Sequence, residues 1–209
     1  MKKIYDISLT LENDLPVWPG DKNPELEQTS FMEKGDVCNV GRFSMGMHTG
    51  THIDVPLHFI NDGKSTEDVD LSRFIGRAKV FEVEVPLKIE LEHVQNFDIG
   101  EDDIIILKVP KNESLLKIKE FSKDYVSLSL EAAQFFANKK IKAVGINYFS
   151  IEKFDSSKFA VHKTLLGNDI VVIEGLKLEG IEPGEYEFFC LPLKLKNGNG
   201  SPVRAVLMK

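Results

Sequence analysis

A succession of short apolar runs, each bounded by Gly, Pro, Asn or Asp, confines this chain to a strand-rich fold. The runs cover residues 4–9, 40–48, 78–85, 103–109, 142–146, 170–175, 186–193 and 203–208. Apolar segments of this length between turn formers read as strands. The helical period is clear only in SLEAAQFFANKK at 129–140, where Ser129 can cap, Glu131 suits the first turn, and Lys139 and Lys140 suit the last. FAVHKTLLG at 159–167 predicts a second, shorter helix closed by Gly167. The balance predicts a mixed, strand-rich α/β fold in one domain over residues 1–209. Its βα units are too sparse for a doubly wound sheet.

The 209 residues are enough to bury a core without disulfides or a structural metal. A net charge of −7 argues against a nucleic-acid or anionic-membrane binder. Cys38 and Cys190, far apart and outside any CxxC pattern, fit a reducing compartment. The N-terminal segment lacks the apolar run of a signal peptide, and no stretch approaches a membrane span. These features point to the cytoplasm.

Chemistry concentrates in MHTGTHIDVPLHF at 47–59, which holds three of the chain's 5 histidines. His48 and His52 are four residues apart, the spacing of paired ligands on a helix, but Gly50, Pro56 and the β-branched neighbours oppose a helix. In an extended chain, positions 48, 52, 54 and 58 share one parity and so one side. Gly50 would let the backbone pass close to an ion. Imidazoles beside a carboxylate are the usual ligands of zinc and related metals. His48, His52 and Asp54 would satisfy one metal with a position left open for water, and His58 would serve as a further ligand or an acid/base group. The flanking Met45, Met47, Val55, Leu57 and Phe59 imply partial burial, where charged or polar groups need partners. Trp18 is either a core residue or a stacking surface for an aromatic substrate. No GxSxG, P-loop or GxGxxG is present.

HTGTHIDVPLHF resembles the HxGTHxDxPxHF motif of the cyclase-like metal-dependent hydrolases, the family of the bacterial kynurenine formamidases (arylformamidases) and isatin hydrolases. PVWPGD at 16–21, the 129–147 block, HKTLLGNDIVVIEGL at 162–176 and the 191–208 segment extend the resemblance along the chain. It implies a swivelling β/β/α fold, a homodimer and two divalent ions per chain, zinc or manganese. Carried over residue by residue, it implies His48, His52 and Asp54 on the first ion and His162 on the second, with Asp54 and Glu174 reaching both. It further implies His58 as general acid/base and Trp18 in the substrate pocket.

Three departures concern the substrate rather than the metal set. Asn147 and Glu152 stand where family members often carry aspartate, and 103–112 lacks the Thr-Gly-Trp that often follows that strand. The reaction expected is metal-dependent hydrolysis of an aryl formamide such as N-formylkynurenine. The alternatives are hydrolysis of a cyclic amide or lactone, and a protein that keeps the ions without catalysis.

Overall fold

The computed structural model describes residues 2–209. Strands β1 (Ile4–Asp6), β2 (Glu25–Ser30), β3 (Val40–Ser44) and β4 (His52–Asp54) come first. Strands β5 (Ile75–Glu82) and β6 (Lys88–Ile89), helix α1 (Leu91–Val94), strand β7 (Ile104–Lys108) and helix α2 (Pro110–Leu116) follow. Next come β8 (Ser127–Leu128), α3 (Leu130–Lys139), β9 (Ala143–Ile146), α4 (Ala160–Gly167) and β10 (Val171–Glu174). Strands β11 (Gly184–Phe189), β12 (Gly200–Pro202) and β13 (Val206–Met208) complete the chain.

Nine strands form one mixed sheet in the order β1-β13-β11-β5-β7-β9-β10-β4-β12. Its centre, β5-β7-β9-β10, is parallel, and every pairing outside that centre is antiparallel. The central strands are buried on both faces, which is why Ile104–Leu107 and Val171–Ile173 read as continuous apolar runs rather than as alternation. One face packs Ile105, Leu107, Val144, Ile146 and Val172 against Ala133 and Phe136 of α3 and Leu165 and Leu166 of α4. The other packs Ile53, Ile104, Ile106, Ile173 and Val80 against Phe74, Leu176 and Phe188. The fold is thus mixed α/β and strand-rich. Among the described residues, no helix is long and apolar enough to cross a membrane.

Local signals set several boundaries. The Ser129 hydroxyl accepts the Ala132 N–H at 3.1 Å and starts α3, and Lys140 ends that helix in the left-handed conformation. Helix α4 differs from expectation at its end: Gly167 belongs to the helix and Asn168 caps it. The run at 40–48 also stops early, at Ser44, because the chain turns before His48. β2 and β3 form a separate hairpin that is almost wholly exposed.

Candidate metal centre

The candidate site is assembled where β4 joins the parallel sheet. In the β10–β4 ladder Glu174 lies opposite His52, and Val172 lies opposite Asp54. Alternation then sends His52 and Asp54 to the helix-bearing face, while Ile53 enters the opposite core. The extended reading of 48–58 holds only for these three residues. His48 comes from the turn before β4, and His58 closes a 3-10 turn over Pro56–His58. Pro56, at the first position of that turn, has its φ preset for it and has no N–H to leave unsatisfied. His48 and His58 therefore reach the site by folding back, not by strand parity.

Two glycines allow β4 and β10 to come this close. Gly50 turns the chain into β4 with φ +69, and Gly175 leaves β10 with φ +67. A Cβ on Gly175 would sit 2.2 Å from the Gly50 carbonyl oxygen. A Cβ on Gly50 itself would sit 2.8 Å from Leu11 Cδ2, so that glycine also makes room for the N-terminal segment. The Thr51 hydroxyl locks the junction by donating to the Gly175 carbonyl at 2.6 Å.

Helix α4 supplies His162 from across the cleft. Val161, His162, Leu165 and Leu166 form its buried stripe, so the hydrophobic contacts that dock the helix also fix the imidazole. His162 Nε2 lies 3.2 Å from Glu174 Oε1 and 3.5 Å from Asp54 Oδ2. His52 Nε2 lies 3.3 Å from Glu174 Oε2 and 3.6 Å from Asp54 Oδ1. His48 Nδ1 lies 2.6 Å from Asp54 Oδ1. Donor atoms of His52, Asp54 and Glu174 fall within 4.8 Å of one another, as do those of His48, Asp54 and His58. Asp54 is common to both sets. The distances thus group His58 with His48, whereas the resemblance groups His48 with His52.

Hydrogen bonds on the outer edges of the rings set which nitrogen faces inward. His52 Nδ1–H donates to the Gly50 carbonyl at 3.0 Å, and His162 Nδ1–H donates to Glu152 Oε2 at 2.8 Å. A neutral imidazole with its proton on Nδ1 presents a bare lone pair at Nε2. Both lone pairs then face carboxylate oxygens, an arrangement that calls for a cation or a proton between them. Asp54 is 1% exposed, and its Oδ2 has no hydrogen-bond partner. A buried, orphaned carboxylate oxygen facing the His162 Nε2 at 3.5 Å, with His48 and His52 on the other oxygen, fits a divalent transition metal.

The charges respond accordingly. Burial works to raise the pKa of Asp54, but His162 and His48 outweigh it and hold the carboxyl well below its usual range. Burial likewise opposes charge on His162, yet Asp54, Glu152 and Glu174 lift it well above the ordinary imidazole value. Glu174 is lowered against both burial and the Asp54 charge by His162 and His52. His58 behaves differently: burial pushes it down to about 4.

His48, His52, Asp54, His58, His162, Glu174 and Trp18 all line one cavity of about 350 Å³. Its remaining wall includes Phe59, Phe149 and Phe159. Trp18 packs on Phe154 at 4.8 Å and on Phe121 at 5.3 Å between ring centroids. His93 lies elsewhere, in α1, where its Nδ1 accepts the Glu90 N–H. Two contributors escaped the sequence reading. Glu152 sits behind His162, and Asn199 contacts His48 Nε2 at 3.0 Å. Glu152 stood out only as a departure from the motif, and Asn199 gave no signal in its polar stretch.

Known proteins resemble the chain along nearly its whole length. The family described as "Putative cyclase" matches residues 5–153. Kynurenine formamidase of Bacillus mycoides (strain KBAB4) is 35% identical over 202 residues, covering 97% of this chain and 95% of that protein. The Bacillus anthracis enzyme of that name is 34% identical over 205 residues, with 98% and 97% covered. A solved structure described as a predicted metal-dependent hydrolase from Bacillus stearothermophilus is 30% identical with a TM-score of 0.86, covering 100% and 98%. Isatin hydrolase A from Labrenzia aggregata, at 21% identity and a TM-score of 0.86 over 99% and 93%, shares the fold.

Proposed function

The chain belongs to the cyclase family and is a hydrolase, and from that premise we propose that it is a binuclear metal-dependent hydrolase of an aryl formamide such as N-formylkynurenine. The observation that carries the metal reading is the orphaned Asp54 Oδ2, 3.5 Å from the inward-facing His162 Nε2. His48, His52, Asp54, His162 and Glu174 would hold two divalent cations, zinc or manganese, with Asp54 and Glu174 reaching both. Such cations supply Lewis acidity, which acidifies water and polarises a carbonyl oxygen.

The chain's own residues account for positioning and proton transfer. His58, neutral at pH 7, has a free ring nitrogen to accept a proton from water as the water oxygen bonds to the formyl carbon. The same ring then donates that proton to the aryl nitrogen as the carbon–nitrogen bond breaks, releasing an arylamine and formic acid, which gives up its remaining proton to solvent as formate. His58 is neutral again at the end of the cycle. Trp18, Phe149 and Phe159 would hold the aryl ring flat against apolar surface. A cavity of about 350 Å³ suits a single substituted ring.

The test is metal content per chain by mass spectrometry, paired with N-formylkynurenine hydrolysis with and without chelator. Close to two ions and chelator-sensitive turnover are the expected results. Two ions without turnover would discard the substrate and keep the site. No uptake after reconstitution with zinc or manganese would discard the metal reading altogether.

A further inference from the structure

Glu152 lies outside the donor sets and is 4% exposed. It meets His162 on the ring edge opposite Asp54 and Glu174. Its Oε2 accepts two hydrogen bonds from that residue, from ring Nδ1 at 2.8 Å and from the backbone N–H at 3.0 Å. Its Oε1 accepts the Ser156 hydroxyl at 2.6 Å and the Val161 N–H at 3.3 Å. Both carboxylate oxygens are thus engaged on the first turn of α4 and on the loop that leads to it.

We propose that Glu152 is a positioning residue of the metal centre, holding His162 with its Nε2 lone pair aimed between Asp54 and Glu174. The inference rests on the metal reading above. Its physical content is a competition for one proton. Two carboxylates on the Nε2 side would draw the imidazole proton toward themselves and leave no lone pair for a cation. An ionised acceptor at Nδ1 keeps the proton on the outer edge. It also makes Nε2 the stronger donor, the effect a carboxylate behind a metal-bound histidine has in general. The same carboxylate caps α4, where negative charge is favoured at a helix N-terminus. One side chain therefore fixes the position of the helix, the orientation of the ring and the tautomer.

A helix cap alone would also explain a buried carboxylate here, and substitutions separate the two roles. Glu152→Gln keeps the length, and its carbonyl oxygen can still accept both His162 bonds, but the charge is gone. The metal-free Gln variant should melt within a few degrees of the wild type. Its affinity for zinc, measured by competition with a chromophoric chelator, should fall about tenfold to a hundredfold at one of the two ions. The visible absorption bands of the cobalt-loaded variant should shift with it. Glu152→Asp keeps the charge but ends one methylene short of Nδ1, so its affinity should fall between the two.

Wild-type affinity and an unchanged cobalt spectrum in Glu152→Gln would overturn the proposal while leaving the metal centre intact. If the Gln variant does not fold, Glu152→Asp decides: an affinity equal to the wild type would overturn it. A wild-type chain that takes up no metal would overturn the metal reading and this inference together.

Discussion

The imidazoles of His48 and His58 lie almost face to face, with 3.9 Å between ring centroids and 24° between planes. Charge on both rings at that distance would be mutually repulsive, and His58 is held neutral. Burial, joined by the charges of His48 and His162, pushes its pKa from 6.5 to about 4 against an opposing pull from Asp54.

A histidine depressed in the folded state stabilises the fold above its unfolded pKa, and that contribution disappears as pH falls toward the folded value. The window here runs from 6.5 down to about 4. Across it, the metal-free wild type should lose up to about 3 kcal/mol more stability than His58→Gln. Urea unfolding at the two ends of the window measures the difference, and equal losses in both proteins would show that His58 is not held neutral.

His52 and His162 shift the other way. Burial disfavours charge on each, but Glu174 and Asp54 outweigh it, assisted at His162 by Glu152. In the metal-free protein both rings therefore take up a proton more readily than a free imidazole, and a cation competes with that proton. Metal affinity should rise with pH through the neutral range, with protons released on binding. Calorimetry in buffers of different ionisation enthalpy tests this, since an apparent binding enthalpy independent of buffer would contradict it.

Gly175→Ala should damage the site without touching a donor. The new methyl meets the Gly50 carbonyl oxygen at 2.2 Å, at a left-handed φ that alone costs roughly 1–2 kcal/mol in a residue with a Cβ. The loss of stability should exceed that figure, because backbone must move. A melting temperature equal to the wild type would mean that the β4–β10 junction is looser than described.

Trp18→Ala should spare the metals and weaken the substrate. The indole lines the cavity, packs on Phe121 and Phe154, and offers no ligand atom of its own. KM for an aryl formamide should rise about tenfold, with metal content unchanged. An unchanged KM would assign Trp18 to packing alone.

What the sequence reveals and what it conceals follow from physics. His52 and Asp54 are legible because strand alternation is local, and Glu174 because a carboxylate ending an apolar run is conspicuous. His48 and His58 come from turns, so their agreement in parity was coincidental to how they converge. Glu152 is invisible to such reasoning, since its role exists only once α4 folds against it. Strand β2, the partner of β3, leaves no trace in the sequence because ELEQTS buries almost nothing and so carries no apolar pattern. β12 was missed because Gly200 and Pro202 look like a turn. Helix α2 hides behind Pro110, which reads as a breaker in a strand and here occupies the first helical turn.

His52 and Glu174 face each other across a strand pair, yet roughly 120 residues of chain separate them, a long loop to close by backbone pairing alone. A cation held by both, as proposed above, would be a removable cross-link. It would tie β4, added at the flank of the parallel strands, to the strand that ends them. Binding the folded arrangement in preference to the open one, it would make resistance to opening along that seam depend on its free concentration. Metal scarcity would then lower the lifetime of the protein as well as its activity, and depleted chains would open first between β4 and β10.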